Sequence, residues 1–514
     1  MSATEEAIVP VPAGGPLEVP VPEYTHRQIL LILSGLAVGL LLGSLDQTIV
    51  STALTRISEQ FHRVDLYSWV VTAYLLTSTA STPLYGKISD QFGRKRIFQG
   101  SIVLFLAGSA LCGLSQSMYE LIAFRAIQGI GAGGLMTLAF AIIGDVIAPR
   151  ERGRYQGYFG AIFAVSSVIG PLIGGFLVDQ ASWRWVFYVN LPIGAVGLVL
   201  VNRVLKMDHH ARRSKVDVAG SILIVGGVSL LLVGVQVAGA AARMTTVAWA
   251  YLVPGVVLLV AFGWWETRAA EPIIPLHLFR NRVFAVSNTV GFISGTVMFG
   301  ALLFVPLYLQ HVQGISPTSS GLRMLPMLAG VLLSSIVIGR AVSRYGRYKV
   351  YVVVGTAVLT GGVALMSTLS VSTGGWRLSG MLFIVGVGMG MFMQILVVAV
   401  QNAVPREYMG VGTAAVTFFR TLGGAIGAAV LGAVLILQQK SSLPGYVRTY
   451  GQGAKAADHA FVYGMDRGFV YTIPAAILAF LLSFLLREVR LRSSMGPEAG
   501  EPPVTGVSVE SVVG

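Results

Sequence analysis

The sequence predicts an all-α integral membrane protein of fourteen transmembrane helices: two sets of six with an additional pair between them. Three observations carry this prediction: the composition, the alternation of apolar runs with basic turns, and a weak internal repeat. Of 514 residues, 54% are hydrophobic and only 11% charged, with mean hydropathy +0.74, whereas a soluble domain carries about 25% charged residues. About 20 apolar residues, at about 1.5 Å each, cross about 30 Å of hydrocarbon. Runs of that length begin near Ile29, Leu66, Ile97, Tyr119, Tyr155, Trp185, Val216, Val247, Val283, Gly321, Lys349, Leu378, Val411 and Phe469.

Residues 1–27 contain "VPVPAGGPLEVPVPEY" and no basic n-region, so they read as a disordered tail and not a signal peptide. Residues 28–205 hold the first six spans, 206–270 the extra pair and 271–490 the second six. Residues 491–514, with "SMGPEAGEPP", form a second disordered tail. The stretch 438–468 is rich in Gly and charge and reads as the longest outer loop, a partly ordered flap without an assigned role. The repeat relates "GKISDQFGRKRIF" (86–98), after the second span, to "GRAVSRYGRYKVY" (339–351), after the tenth. Both fall on inner turns, so the copies run parallel, and parallel halves with a site between them are a transporter architecture.

Basic residues set the orientation. With the N-terminus inside, about 24 of the 36 Lys and Arg residues gather in inner segments, as the positive-inside rule requires. This predicts a plasma (inner) membrane protein with both termini cytoplasmic. The net charge of +13 follows from that topology and from anionic lipid headgroups, so no nucleic-acid partner is needed. The single cysteine, Cys112, lies inside a span and can form no intrachain disulfide. Asp208, His209 and His210 sit beside "ARRSK" without further ligands and read as a solvated linker, and neither His311 nor His459 has zinc spacing. There is no G-x-x-x-x-G-K-[ST] loop, no polar catalytic cluster and no cofactor signature. An ion gradient is left as the drive, and an enzyme is not expected.

Three ionisable residues stand within otherwise apolar spans: Asp46, Arg125 and Arg420. Asp46 in "LDQTIVSTAL" (45–54) lies about 12 Å below an outer boundary near Leu54, and Arg125 in "LIAFRAIQGIGAGGL" (121–135) about 9 Å below Tyr119. Similar depths allow contact. A charge at a helix centre costs on the order of 2.5–3.5 kcal/mol by insertion scales, so such residues face a cavity or one another and mark ion paths. A static pair, or a wetted Asp46, is the alternative. In the 86–98 loop, Gly86 suits a close helix approach, Asp90 can accept from a helix N-terminus and Gly93 permits a tight turn before a basic cluster. In "AVSSVIGPLIGGFL" (164–177), Gly170 and Gly174 have the spacing of ordinary membrane helix packing, with Pro171 and Gly175 beside them.

Together with "WRWVFYVNLPIG" (183–194) and "FFRTLGGAIGAAVLG" (418–432), these motifs resemble the major facilitator superfamily, and within it the drug:proton antiporter-2 family of fourteen-helix multidrug efflux transporters. The resemblance covers about 29–490. It implies a major facilitator fold and proton coupling through Asp46, with Arg125 as its partner. It also implies an antiporter motif at Gly170, Pro171, Gly174 and Gly175, whose proline can act as a gating hinge. The same resemblance implies a latch in which Gly86, Asp90, Gly93 and Arg94 meet the start of the helix near Val411 when the inner side is closed. The second copy of the loop has Ser343 where Asp90 stands, which confines such a latch to the first half.

Cavity candidates are Gln47, Met393 and Gln394, the latter two from "GVGMGMFMQILVVAVQN" (386–402), Phe304 and Tyr308 from "MFGALLFVPLYLQ" (298–310), and Arg420. Arg420 suits either an anionic group or helix packing. Few carboxylates lie in the spans, which leans toward lipophilic neutral or monocationic cargo. The expected protein is a monomer that exports small lipophilic compounds against protons, among membrane lipids. An exporter of lipids or envelope precursors, a gradient-independent facilitator and a non-transporting receptor or assembly protein are the rivals.

Overall fold

The computed structural model describes residues 26–63, 66–205, 217–241, 243–489 and 491. Both terminal tails, apart from the residues just named, and the His209–His210 run lie outside them. The described chain is helical throughout, without a strand. The first half comprises α1 (His26–Gln60), α2 (Tyr67–Phe92), α3 (Arg94–Leu114), α4 (Met118–Val146), α5 (Pro149–Gln180), α6 (Trp185–Tyr188) and α7 (Asn190–Val204). The extra pair is α8 (Val218–Ala241) and α9 (Thr246–Glu266). The second half comprises α10 (Arg282–His311), α11 (Pro317–Arg323), α12 (Leu325–Tyr345), α13 (Lys349–Met366), α14 (Gly375–Ala403), α15 (Met409–Tyr450) and α16 (Ala454–Ser483). Among the described residues this makes fourteen passages, with α6 and α7 forming one interrupted crossing and the short α11 leading into α12. Pro192 falls in the first turn of α7 and Pro326 in that of α12, where the missing N–H is tolerated.

Polar contacts group the helix ends. Arg94 Nε donates to Asp145 at 2.7 Å, and Asp90 accepts from the Val411 amide at 3.3 Å, so the α2–α3, α4–α5 and α14–α15 turns share one end. At the opposite end Trp183 donates to Gln60 at 2.6 Å and Arg184 to the Ser115 carbonyl at 3.0 Å. In the second half, the Arg94-type turn is tied differently. Gly346 takes φ 68°, and Glu488 accepts from the Tyr348 amide at 2.8 Å. Burial pushes the Tyr348 phenol up to about 12, so it remains a donor, to the Arg487 carbonyl at 2.8 Å.

The halves meet along two seams, α2 against α15 and α5 against α12 and α14, with α4 touching both α14 and α15 between them. α8 packs on α2 and α15 as well as on α9, and so lies along the first seam.

α1 itself continues beyond the outer boundary near Leu54, to Gln60. One expectation is corrected. The stretch 438–468 is no loop. α15 runs on to Tyr450 and α16 starts at Ala454, leaving only 451–453 as the turn, with Gly451 and Gly453 at positive φ. His459 stacks on Tyr450 at 4.4 Å across this hairpin, and His311 lies 5.8 Å from Phe461.

Candidate functional site

Asp46 and Arg125 come together. Both are buried, at 0% and 1% exposure, and Arg125 Nη1 donates to Asp46 Oδ2 at 2.6 Å. Asp46 Oδ1 accepts from Gln128 Nε2 at 2.8 Å and from Asn190 Nδ2 at 3.0 Å. Arg125 also donates to Gln128 Oε1 at 2.8 Å and to the Val70 carbonyl at 3.3 Å, and its guanidinium lies 4.2 Å over the Tyr74 ring. Gln128 follows Arg125 by three residues on α4, so both reach the same face. Asn190 opens α7 at the interruption of that crossing, where its side chain turns inward and donates also to Ser109 Oγ at 3.0 Å. The Cys112 thiol, fully buried, is 3.6 Å from Gln128 Oε1. Three donors on one carboxylate, with a cation among them, are what a buried charge requires in order to persist.

The turns of α1 on either side of Asp46 are tied to α5. Ser44 and Ser166 share a 2.7 Å hydrogen bond, Thr48 donates to the Ser166 carbonyl at 3.1 Å, and a Cβ on Gly170 would fall 2.0 Å from Thr48 Oγ1. Gly174 is buried, Gly175 meets open space, and the Pro171 side chain lies outside the described residues while the backbone there stays helical.

At the Arg94 end, Arg94 Nη1 lies 2.5 Å from Asp90 Oδ1, its Nε on Asp145, and Asp90 caps the first turn of α15 through Val411. A Cβ on Gly86 would lie 2.6 Å from Ala414 Cβ, so α2 and α15 approach closely there, and Gly93 turns at φ 98°. Two further contacts join the halves at this level. Gln401 donates to the Phe140 carbonyl at 2.9 Å, and Lys87 pairs with Glu271 at 2.6 Å.

The cavity candidates divide. Gln47 is exposed, and Met393, Gln394 and Arg420 are half-buried. Phe304 and Tyr308 are buried in the apolar core, and the Tyr308 hydroxyl donates to the Ser370 carbonyl at 2.8 Å. Gln128, Asn190, Ser109, Gln401 and Lys87 were not anticipated. Their signal, an uncharged amide or hydroxyl in an apolar run or one more lysine in a basic loop, is too common to single them out.

A family model described as Major Facilitator Superfamily matches residues 36–428. The multidrug transporter protein MdtP of Bacillus subtilis (strain 168) is 37% identical over 459 residues, 88% of this chain and 84% of that one. The efflux pump dotC of Dothistroma septosporum is 35% identical over 438 residues, 83% of this chain and 74% of its own. Among solved structures, that of the human organic anion transporter MFSD10 matches with TM-score 0.63 at 16% identity, over 88% of this chain and 99% of that one. This last likeness is one of fold alone.

Proposed function

The chain belongs to the major facilitator superfamily, and from that premise we propose that it is a proton-coupled antiporter exporting lipophilic or weakly cationic compounds by alternating access. As a member it is a multi-pass membrane transporter of small molecules and not an enzyme. That its relatives include a multidrug transporter and an efflux pump supports the multidrug part of the reading. The observation that carries the coupling is Asp46, buried and shared by Arg125, Gln128 and Asn190. Protonation would discharge the pair with Arg125, and losing that attraction would couple the loading of Asp46 to movement among α1, α4 and α7.

In this reading 28–205 and 271–490 are the rocking halves, 206–270 rides beside them, and the monomer sits in the plasma membrane with the Arg94 end and both termini cytoplasmic. The Asp90, Arg94 and Val411 contacts, with Gln401 on Phe140, then hold a conformation closed toward the cytoplasm. One proton moving down about 100 mV releases about 2.3 kcal/mol, enough for a gradient of about 50-fold in a neutral solute.

The test is proton release in energised inside-out vesicles on adding lipophilic dyes, comparing wild type with Asp46→Asn. Dye-driven release in wild type and none in the variant is expected. Equal release in both would make the Asp46–Arg125 pair a static brace. If no dye acts but a lipid or envelope precursor does, the rival cargo takes its place.

A further inference from the structure

Three polar side chains outside the Asp46 network each carry a buried atom with no hydrogen-bond partner: Thr137 Oγ1 on α4, Gln394 Oε1 on α14 and Arg420 Nη1 on α15. Their placement follows from the cluster that seals the Arg94 end. There Gln401 donates to Thr413 Oγ1 at 3.0 Å and to the Phe140 carbonyl at 2.9 Å, and a Cβ on Gly144 would lie 3.0 Å from Gln401 Nε2. Thr137, Gln394 and Arg420 each stand seven residues from Gly144, Gln401 and Thr413 respectively. Seven residues are about two turns, which returns a side chain to within about 20° of the same face and about 10 Å further from that end. The three therefore look into the same space between the halves, one level above the seal.

Arg420 makes neither hydrogen bond nor ion pair with any described residue. It lies 11 residues into α15, about 16 Å, which is near the middle of a hydrocarbon core of about 30 Å. Arg125, the other intramembrane arginine, has its countercharge. A cation at that depth is as a rule paired or faces a path for solute, and the guanidinium is a permanent, planar fork that matches an oxyanion.

We propose that Arg420, with Gln394 beside it, is the binding site for an oxyanion, so that the cargo includes amphipathic anions with one sulfonate or carboxylate on an apolar body. This rests on the transport reading above, takes up the anionic role that the sequence left open for Arg420 beside helix packing, and replaces the lean toward neutral or cationic compounds. A monoanion leaving as a proton enters moves two charges, so its export responds more steeply to membrane potential than that of a neutral compound.

The probes are 1-anilinonaphthalene-8-sulfonate and N-phenyl-1-naphthylamine, nearly the same aromatic body with and without the sulfonate. In inside-out vesicles Arg420→Gln is expected to raise the half-saturating concentration of the sulfonate at least tenfold and to leave the neutral amine within twofold. Arg420→Lys should fall between, and Gln394→Leu should weaken the sulfonate alone. Equal loss of both probes, or of neither, overturns the proposal. Should wild type move no protons with either probe, the antiport reading fails, and binding to the purified protein still decides this one. The sulfonate should then raise the Tm of wild type and not of Arg420→Gln, and an equal rise in both overturns the site. Relieved of an unpaired charge, Arg420→Gln should fold with a Tm no lower than wild type.

Discussion

Each member of the Asp46–Arg125 pair is costly without the other, and their substitutions should therefore not add. Removing one partner of a buried ion pair destabilises by about 3–5 kcal/mol, whereas removing both costs far less. Arg125→Gln and Asp46→Asn should each lower the thermal unfolding midpoint in detergent, and the double variant should recover most of the loss; additive losses would show that the pair is not coupled. Asn190→Ala leaves Ser109 and Asp46 short of a shared donor, a deficit of about 1–3 kcal/mol, readable in the same melt. The charged half of this site was legible in the sequence because a carboxylate and a guanidinium are conspicuous in apolar runs. Gln128 and Asn190 were not, since an amide in a span can as readily bond its own helix. Tyr308 is a contrasting case: an aromatic with a polar tip looks like a ligand contact, and here its hydroxyl donates to the Ser370 carbonyl.

At the scale of helices, the glycines of α5 separate by what stands opposite them. A side chain at Gly170 would overlap Thr48, and Gly175 faces open space. Gly170→Val should cost at least the about 1–3 kcal/mol of overpacking and reduce monodisperse protein in size-exclusion chromatography. Gly175→Ala should be neutral or stabilising by about 0.5–1 kcal/mol, as alanine is the better helix former. The spacing of these glycines was visible in sequence, but which of them touches a neighbour was not, since that depends on where α1 lies. The helical hairpin at 438–468 teaches a related lesson. Falling hydropathy marks where a helix leaves the membrane and says nothing of where it ends; Gln, Lys, Ala and Arg are good helix formers in water.

The whole molecule is closed at its Arg94 end by contacts that cross from one half to the other. Asp90 accepts from the Val411 amide in the buried first turn of α15 while holding Arg94, so Asp90→Ala should shift the population toward opening there. Nitroxide labels at Arg96 and Tyr345, both exposed at that end, should report a longer mean distance in the variant; an unchanged distribution would mean the contact follows closure without favouring it. The fourteen-passage architecture was readable because basic turns and apolar lengths repeat. How the extra pair packs against α2 and α15 was not, because lipid-facing and seam-facing helices are equally apolar. The protein also brings its own gauge of these motions. Its one thiol, Cys112, is buried beside Gln128, which itself bonds Asp46. A posture that opens this pocket widely enough brings a small alkylating reagent to that sulfur. Labelling rate in the native, unaltered chain is thus a clock for how often that pocket opens, and adding a transported compound should make it run faster or slower.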